Sequence, residues 1–446
     1  MPESLSITPI SHPVRASIRP PGSKSLTNRA LVCAVLAAGS STLRGALKSE
    51  DTEVMIVSLK ALGIEVEVRN DGETLIVEGC AGKLPTSQAN LYVANSGTTM
   101  RFLTALVTLG NGEYHLDGIP RMRARPIGDL VTSLESLGAN ILCTDGCPPV
   151  VVHASGLAGG STTIHGNISS QFLSGLLMTA PYARDGVTIQ VEGPLVSVPY
   201  VRMTQQVMKA FGVTVSAEED FCKIEVPGGS MYKSIDYSIE PDASAASYFF
   251  AVAAITGGTV TVEGLGPESL QGDVAFCECL KQMGCQIRYG DHEITVVGQP
   301  LRAIDVDMNA ISDTVQTLAI VALFAEGTTR IRHVEHIRYK ETDRIGDLAT
   351  ELRKLGAKVV EHEDGLEIIP LHQQTVHREL TAGGSYAGAT TSGHEVMIDT
   401  YNDHRMAMSF ALAGLKIPGI TIQNPGCTEK TYPKFFNDLA HVIGAK

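Results

Sequence analysis

Six short stretches of this sequence carry Ser, Thr, Asn or Asp where a helix is predicted to begin: residues 22–29, 95–101, 169–171, 242–244, 312–314 and 402–405. Such side chains accept hydrogen bonds from the free N–H groups of a first helical turn, so capping alone would account for them. Three stretches also carry cations (Lys24 with Arg29, Arg101 and Arg405), which the positive end of a helix dipole disfavours. A cation is favourable there if an anion lies between it and the helix end. We therefore predict a site for a small polyanion; for 242–244, capping and ligand contact both remain open.

Three arginines, Arg121, Arg123 and Arg125, follow one another at a spacing of two. They would share one face if the segment is extended, and a solvated strand edge is the plain alternative because like charges repel. Pro126 is followed by an apolar stretch that predicts a helix start, which favours a position of Arg125 near a ligand. The planar guanidinium pairs bidentately with carboxylate and phosphate groups.

A second dense run of charge contains Lys340, Glu341 and Arg344. Lys340 and Arg344 would lie on one helical face, where like charges destabilise a helix, so the run is either a solvated face or an anion clamp. Asp313 is expected to open the first helix of the same repeat, which would bring two carboxylates and two cations together. Paired carboxylates in unlike surroundings suit general acid and base catalysis. Lys430, just before the last predicted helix, is a weak signal by itself.

Other local patterns point away from nucleotide and metal chemistry. The stretch 22–25 contains Gly-Ser-Lys-Ser, but a P-loop requires Gly-x-x-x-x-Gly-Lys-Ser/Thr, so Lys24 is expected to contact phosphate or carboxylate in a different kind of loop. His333, His336 and His404 lack the spacing of a zinc site, and structural or solvent-facing roles are favoured, with His404 a candidate exception in its polar helix start. No metal and no organic cofactor is predicted.

The elements that must position these residues recur along the chain. Amphipathic helix endings of the type Leu-x-x-Leu-Gly stop at Gly63, Gly138, Gly212, Gly284 and Gly356 and, in degenerate form, at Gly444. Glycine ends a helix in the left-handed conformation because it lacks a Cβ. The first five glycines are 72–75 residues apart and the last interval is 88 residues. We expect six α/β repeats, with the excess of the last in an exposed Gly/Ser/Thr-rich loop at 381–393.

The six repeats divide naturally into three and three. The midpoint falls near residues 239–242, and the strand-like segment 5–20 is expected to complete the second lobe. The predicted lobes are therefore 23–241, with repeats 1–3, and 1–22 with 242–446, with repeats 4–6. The helix starts of both lobes are expected to converge on one cleft between them.

Composition excludes several classes of protein. The chain has 446 residues and a net charge of −13, which argues against nucleic acid or an anionic membrane surface as a partner. No apolar run reaches transmembrane length, and the start lacks the layout of a secretory signal. The nine cysteines include the pairs Cys143/Cys147 and Cys277/Cys279, which could serve metal or redox chemistry. Free thiols in a reducing cytosol are the simpler interpretation, and a cytoplasmic location is expected.

Taken together, these motifs resemble the enolpyruvyl transferases over essentially the whole length. The resemblance is carried by residues 21–29, 95–101, 123–128, 169–171, 242–248, 340–344, 402–408 and 427–433. It implies a two-lobed inside-out α/β barrel, each lobe built from three βαβαββ repeats around a pseudo-threefold axis, with the active site in the interlobe cleft. Lobe closure on the substrates is expected to assemble that site.

Within the family the sequence is similar to the shikimate branch. The implied reaction transfers the enolpyruvyl group of phosphoenolpyruvate to the 5-hydroxyl of shikimate 3-phosphate, on the pathway to chorismate and aromatic amino acids. Addition would give a tetrahedral ketal, and elimination would release phosphate. The expected partners are these two small molecules, and the expected state is a monomer.

The resemblance also implies roles for individual residues. Those that would hold shikimate 3-phosphate are Ser25, Arg29, Ser169, Ser170, Ser197 and Lys340. Those that would hold phosphoenolpyruvate are Gly97, Arg125, Arg344, Arg405 and Lys430. Lys24 and Gln171 would lie between the two substrates. Asp313 would take the proton of the attacking hydroxyl, and Glu341, with or without Lys24, would protonate the methylene carbon.

Two other functions are to be weighed. The sister branch acts on UDP-N-acetylglucosamine and typically uses a Cys as acid, but no Cys occurs in residues 117–125. A non-catalytic repeat scaffold would not need cations at helix starts. The chain also departs from its relatives at Ser96, Thr99, Phe102 and His336, so neither sensitivity to glyphosate nor a substrate contact of His336 follows from the resemblance.

Overall fold

A computed structural model describes residues 2–370 and 395–445 of the chain. The stretch 381–393, which the repeat spacing predicts to be a loop, lies outside the described residues. Contacts between Cα atoms divide the chain into two compact units. Unit I is Pro21–Glu240, and unit II combines Met1–Pro20 with Pro241–Lys446. None of the helices in the described residues is long and apolar enough to span a bilayer.

The strands of the described residues are short. In chain order they are β1 Ser4–Ser6, β2 Arg15–Ile18, β3 Ala38–Arg44, β4 Val66–Arg69, β5 Thr74–Cys80, β6 Gln88–Tyr92, β7 Asn111–Asp117, β8 Asn140–Thr144, β9 Cys147–Ser155, β10 Gly160–His165, β11 Val187–Glu192, β12 Ser216–Ala217, β13 Lys223–Val226, β14 Asp236–Ser238, β15 Thr259–Glu263, β16 Gln286–Tyr289, β17 Glu293–Val297, β18 Asp305–Asp307, β19 Thr329–Arg332, β20 Lys358–His362, β21 Gly365–Ile369, β22 Val396–Ile398 and β23 Ile420–Gln423.

In the described residues the helices alternate with these strands, two to a repeat. In chain order they are α1 Lys24–Leu36, α2 Glu50–Ala61, α3 Gly97–Val107, α4 Gly128–Ser136, α5 Ser170–Thr179, α6 Val198–Ala210, α7 Ala243–Thr256, α8 Phe276–Gln282, α9 Val315–Ala322, α10 Gly346–Lys354, α11 His404–Gly414 and α12 Phe435–Val442. Short 3₁₀ turns cover Met122–Ala124, Asn309–Thr314, Glu335–Tyr339 and Pro425–Lys430, among others.

The sheets repeat one topology. Unit I contains the strand orders β14-β3-β5-β4, β6-β7-β9-β8 and β10-β11-β13-β12, and unit II contains β2-β15-β17-β16 and β18-β19-β21-β20. In each of these the first two strands are parallel and the other neighbours antiparallel, which is the pattern of a βαβαββ repeat. A sixth sheet pairs β22 with β23 in parallel and β23 with the N-terminal β1 in antiparallel. The predicted repeats are therefore confirmed in the described residues.

Three helices form the centre of each unit. In unit I, α1, α3 and α5 contact one another, and nearly all their residues are buried. In unit II the same holds for α7, α9 and α11. Beyond their first two turns these helices are largely apolar, as helices surrounded by other elements must be. Each unit thus has helices inside and sheets outside, which is the inside-out arrangement expected from the sequence.

The helix boundaries follow the local signals in the sequence. Ser23, Ser96, Ser169, Asp242 and Asp403 are N-caps whose side chains accept hydrogen bonds from backbone N–H groups of the first turn. The glycines that end the second helix of each repeat all have positive φ, from +69° at Gly444 to +112° at Gly284. One start differs from the prediction. Asp313 lies in the 3₁₀ turn Asn309–Thr314, and α9 begins only at Val315.

Candidate functional site

The central helices of unit I begin with uncharged caps. Ser23 accepts a hydrogen bond from Leu26 N, Ser96 from Thr99 N and Ser169 from Gln171 N. The first turns of α1, α3 and α5 contain no acidic residue. The positive ends of these three helices are therefore not neutralised by carboxylates of their own, and they favour an anionic ligand.

Arg29 is buried in unit I with only 1% of its surface exposed. Its Nε donates to Thr204 Oγ1 at 2.7 Å, its Nη2 to Ser174 Oγ and Tyr200 O, both at 3.2 Å, and its Nη1 to Ser25 O at 3.0 Å. None of these acceptors is a carboxylate, and the described residues provide no ion-pair partner for it. Burial lowers the pKa of Arg29 to about 10, so the group still carries its charge at neutral pH. A buried cation without a counterion is costly, and a bound anion would supply the missing charge.

Aromatic rings complete the surroundings of this guanidinium. Its carbon lies 5.3 Å from the ring centre of Phe102 and 5.9 Å from that of Tyr200. Contacts of this kind stabilise a desolvated cation. Phe102 therefore packs against a residue that the resemblance assigns to shikimate 3-phosphate.

Gly97 opens α3 between two arginines. A Cβ atom at this position would lie 2.5 Å from Arg125 Nη2 and 2.8 Å from Arg101 Nη1. Arg125 is buried and donates from Nη1 to Asn95 O at 2.9 Å, and Arg101 donates from Nη2 to Pro126 O at 2.7 Å. The absence of a side chain at Gly97 is what lets both guanidiniums approach the first turn of the helix. The arrangement offers fixed N–H donors and positive charge to a carboxylate or phosphate.

Arg121, Arg123 and Arg125 would share one face only in an extended segment, and this segment is not extended. Residues Met122–Ala124 form a 3₁₀ turn, in which Ala124 N bonds to Arg121 O and Arg125 N bonds to Met122 O. Met122 is fully buried and anchors the turn, so the three arginines diverge. Arg123 is exposed and pairs with Asp117 at 2.6 Å, whereas Arg125 points into the protein.

The remaining predicted residues of unit I lie at the starts of its helices. Lys24 is the first residue of α1, and its Nζ lies 3.5 Å from a buried carboxylate oxygen of Asp51. Ser170 is buried at the start of α5, next to the half-buried Gln171. Ser197 precedes α6 in the left-handed conformation, with φ of +54°. The predicted ligands Ser25 and Ser169 are also half-buried, next to Lys24 and Ser170.

Asp313 is the centre of a second cluster, in unit II. Its Oδ1 accepts from Lys340 Nζ at 2.6 Å and from Arg344 Nη1 at 3.1 Å. Its Oδ2 accepts from Arg405 Nη2 at 2.7 Å. Only 13% of the side chain is exposed. Three cations that are distant in sequence thus converge on one carboxylate.

Arg344 links this carboxylate to two others. It donates to both carboxylate oxygens of Asp403, at 2.7 and 3.2 Å, and its Nη2 lies 2.8 Å from Glu341 Oε2. Burial alone would lower the pKa of Arg344, but the negative charges of Asp403, Glu341 and Asp313 outweigh it and raise the pKa above its ordinary value. Arg344 is therefore permanently charged, and its orientation is fixed from three sides.

Glu341, Lys430 and His336 border the same cluster. Lys430 Nζ lies 3.8 Å from Glu341 Oε1, and both side chains are buried. Burial lowers the pKa of Lys340, against the raising effect of Asp313, with the Arg344 charge adding to the decrease. Burial, together with the positive charge of Lys340, also lowers the pKa of His336 to about 3, so this imidazole is neutral. His404 is buried next to Asp403, with 3.6 Å between Nδ1 and the nearer carboxylate oxygen.

The interpretation of Lys340 and Arg344 as neighbours on a helical face is wrong. Helix α10 starts at Gly346, because Asp343 Oδ1 accepts hydrogen bonds from Ile345 N and Gly346 N and so caps it. Residues 340–345 are therefore irregular. Both cations nevertheless reach the same oxygen of Asp313, so their proximity has a different cause from the predicted one.

The helix starts of the two clusters differ in the charge of their capping residues. In unit I serine caps leave the helix ends positive, whereas in unit II aspartates cap α7 and α11 and precede α9. Sequence reasoning gave no role in the site to Asp51, Ser174 or Thr204, and it treated Asp403 only as a residue of a helix start. The first three look like ordinary residues within helices. Among residues 2–370 and 395–445, no group of three or more His, Cys, Asp or Glu side chains is arranged to hold a metal ion.

Comparison with known proteins identifies relatives of the whole chain. The model of the family EPSP synthase (3-phosphoshikimate 1-carboxyvinyltransferase) matches residues 8–439. The chain is 47% identical over 445 residues to the 3-phosphoshikimate 1-carboxyvinyltransferase of Trichormus variabilis, covering 99% of this chain and 100% of that protein. It is 46% identical to the chloroplastic enzyme of Solanum lycopersicum, covering 98% of this chain and 84% of that protein. A solved structure, EPSP synthase from Acinetobacter baumannii, matches with a TM-score of 0.77 and 27% identity, covering 98% of this chain and 97% of that chain.

Proposed function

The chain belongs to the EPSP synthase family, and we propose that it transfers the enolpyruvyl group of phosphoenolpyruvate to the 5-hydroxyl of shikimate 3-phosphate. The observation that carries the proposal is the pair of clusters described above. Unit I contains buried cations and positive helix ends that favour anionic ligands, and both substrates are anions that carry a carboxylate and a phosphate. Unit II contains two carboxylates among cations, which suits acid–base chemistry on a hydroxyl and an enol.

In this proposal the residues of unit I bind shikimate 3-phosphate and part of phosphoenolpyruvate. Arg29 and the helix starts that carry Ser25, Ser169, Ser170 and Ser197 hold shikimate 3-phosphate. Gly97 and Arg125 hold phosphoenolpyruvate, and Lys24 and Gln171 lie between the two substrates. The support for this assignment is the uncompensated charge of Arg29 and the donors that converge around Gly97. From unit II, Lys340 adds a contact to shikimate 3-phosphate, and Arg344, Arg405 and Lys430 add contacts to phosphoenolpyruvate.

The two carboxylates of unit II take the acid and base roles. Asp313 accepts the proton of the 5-hydroxyl while that oxygen bonds to C2 of phosphoenolpyruvate. Glu341, with or without Lys24, gives a proton to the methylene carbon, and a tetrahedral ketal results. In the elimination step phosphate leaves C2 with the proton that Asp313 had accepted, and the new methyl group returns a proton to Glu341, which restores the double bond. Neither step consumes an external oxidant or reductant.

The contacts of Asp313 link this chemistry to substrate binding. Lys340, Arg344 and Arg405 compensate the negative charge of its carboxylate. Anionic substrates would share these cations and reduce their hold on Asp313. Asp313 should therefore become available to the 5-hydroxyl only when both substrates are bound.

One assay tests the proposal. Phosphate release from phosphoenolpyruvate is measured with shikimate 3-phosphate or with UDP-N-acetylglucosamine as acceptor. We expect phosphate release with shikimate 3-phosphate as acceptor and none with UDP-N-acetylglucosamine. Turnover only with the nucleotide sugar would assign the chain to the sister branch, and release with neither acceptor would indicate a non-catalytic protein.

A second test addresses the joint action of the two units. If both clusters serve one substrate pair, Arg29→Ala in unit I and Arg405→Ala in unit II should each abolish most of the same phosphate release. If one of these variants kept full activity, its cluster would not be part of the active site. The predicted cytoplasmic location and monomeric state remain part of the proposal; light scattering of the purified protein tests the second.

A further inference from the structure

We propose that Thr204 and Ser174 are positioning residues, which orient the guanidinium of Arg29 toward shikimate 3-phosphate. The inference rests on the proposed function and adds to it, because neither hydroxyl belongs to the predicted set of substrate contacts. Both side chains are fully buried. They act through Arg29 and do not themselves reach the substrate.

The geometry of the hydroxyl pair is specific. Thr204 Oγ1 accepts from Arg29 Nε at 2.7 Å and lies 2.9 Å from both Ser174 Oγ and Tyr200 O, to either of which it can donate. Ser174 Oγ accepts from Arg29 Nη2 at 3.2 Å. The Nε–Nη2 edge of the planar guanidinium is therefore held by two hydroxyls that are hydrogen-bonded to each other. An arginine held along one edge cannot rotate about its last side-chain bonds without breaking both contacts.

The opposite side of the guanidinium faces the predicted ligands. Arg29 Nη1 donates one hydrogen bond to Ser25 O at 3.0 Å. Arginine has five N–H donors, and the described residues supply acceptors for four of them. The remaining N–H is on Nη1, beside Ser25. An anionic oxygen of shikimate 3-phosphate bound there would complete the set of acceptors and neutralise the buried charge.

The same contacts tie three helices together at their starts. Arg29 belongs to α1, Ser174 to α5 and Thr204 to α6. Ser170 precedes Ser174 by one helical turn, and Ser197 is the residue just before α6. Loss of the hydroxyl pair should therefore disturb the alignment of Arg29 with these serines, and it should affect the phosphorylated acceptor more than phosphoenolpyruvate.

The choice of hydroxyls over carboxylates fits this role. A buried Asp at 174 or 204 would orient Arg29 equally well, but it would cancel the charge that the substrate phosphate needs. Neutral acceptors fix the geometry and leave the positive charge available. Burial lowers the pKa of Arg29 only to about 10, so the charge is kept.

The test compares isosteric variants of the full chain. Thr204→Val removes the hydroxyl and keeps the shape, Thr204→Ser keeps the hydroxyl, and Ser174→Ala removes the second acceptor. The control is Thr104→Val, since Thr104 is equally buried but bonds to the backbone of its own helix, at 2.8 Å from Met100 O. Calorimetry gives the Kd for shikimate 3-phosphate, steady-state kinetics give both KM values, and thermal melting gives Tm.

We expect Thr204→Val to raise the Kd for shikimate 3-phosphate by about tenfold to a hundredfold, the range for a lost hydrogen bond to a charged group. The KM for phosphoenolpyruvate should change less than about threefold, and Thr204→Ser and Thr104→Val should bind like the unsubstituted protein. If Thr204→Val does not fold, Ser174→Ala carries the test and should also weaken shikimate 3-phosphate binding selectively.

Three results would overturn the inference: unchanged shikimate 3-phosphate affinity in the variant that carries the test, equal losses for both substrates, or a Thr204→Ser variant as impaired as Thr204→Val. The unsubstituted protein separates this outcome from failure of the proposed function. If it neither binds nor turns over shikimate 3-phosphate, the proposed function is wrong. If it does both and Thr204→Val is unaffected, only the positioning role is wrong.

Discussion

Gly97 and Arg125 are in such close contact that a Cβ atom on the glycine would lie 2.5 Å from Nη2 of the arginine. The backbone of Gly97 does not require glycine, because its φ is in the ordinary range of L residues. The need for glycine therefore comes from the guanidinium and not from the chain conformation. That distinction makes the position a sensitive probe of the proposed phosphoenolpyruvate contacts.

We predict that Gly97→Ala selectively weakens phosphoenolpyruvate binding. The added methyl group must displace Arg125 and Arg101, and overpacking of this kind costs about 1–3 kcal/mol. That cost corresponds to a rise of roughly five- to hundredfold in the KM for phosphoenolpyruvate, with the Kd for shikimate 3-phosphate nearly unchanged. Steady-state kinetics with each substrate varied in turn provide the measurement.

The size of the side chain at 97 supplies a graded control. Gly97→Ser should raise the same KM further than Gly97→Ala, because its hydroxyl extends beyond the Cβ position. Equal effects of both variants on the two substrates would indicate general damage to α3 and would contradict the local explanation.

The paired carboxylates lead to a second prediction. Asp313→Asn and Glu341→Gln keep the size of each side chain but remove its ability to exchange a proton, so each should lower kcat by about a hundredfold or more. Pre-steady-state phosphate release is the measurement. Asp307→Asn is the matched control, since Asp307 is an exposed carboxylate whose partner is His333, at 2.7 Å, and this variant should retain full turnover. Full activity of Asp313→Asn or Glu341→Gln would remove that residue from its proposed role.

Local features of the fold could be predicted from the sequence because their causes are local. A serine or aspartate cap and a left-handed glycine act within one helical turn, so the helix starts at Ser23, Ser96 and Asp403 and the stop at Gly356 were predicted correctly. The period of the glycines then fixed the number of repeats. The prediction failed where a side chain within the motif ends the helical pattern: Asp343 accepts hydrogen bonds from Ile345 N and Gly346 N, so α10 begins only at Gly346 and residues 340–345 are irregular.

The site depends on contacts that no local pattern encodes. Arg405 and Asp313 are 92 positions apart and meet at 2.7 Å only because α9 and α11 pack together at the centre of unit II. Thr204 is 175 positions from Arg29, and a threonine in an amphipathic helix carries no sign that it will accept from a buried arginine. The residue types of the site were thus predictable through the family resemblance, but their hydrogen-bond partners were not.

The buried imidazole of His336 predicts an acid dependence of stability. Its pKa is lowered to about 3 in the folded protein, whereas a histidine in the unfolded chain titrates at its ordinary value of 6.5. Between these values the unfolded chain binds a proton that the folded protein excludes, so stability is complete above pH 6.5 and decreases as the pH falls. From pH 7 to pH 5 this single group should remove about 2 kcal/mol from the free energy of unfolding.

Urea unfolding of His336→Asn at pH 7 and pH 5 checks this prediction. Asparagine does not titrate, so the loss of stability between the two pH values should be smaller by about that 2 kcal/mol. His12→Asn, at an exposed position, should leave the pH dependence unchanged. An identical pH dependence in His336→Asn and the unsubstituted protein would show that another group dominates the acid response.

The repeat-ending glycines allow backbone strain to be separated from steric overlap. Gly356 has φ of +85° and nothing within 4 Å of its would-be Cβ, whereas Gly63 has φ of +82° and would bring its Cβ to 2.9 Å from Pro85 Cβ. Gly356→Ala should therefore cost about 1–2 kcal/mol, the strain of a left-handed L residue alone. Gly63→Ala should lower the free energy of unfolding by at least about 1 kcal/mol more than Gly356→Ala, because Pro85 must also move. Denaturant unfolding of both variants measures the difference. Equal decreases in the free energy of unfolding would mean that Pro85 can move without an energetic penalty.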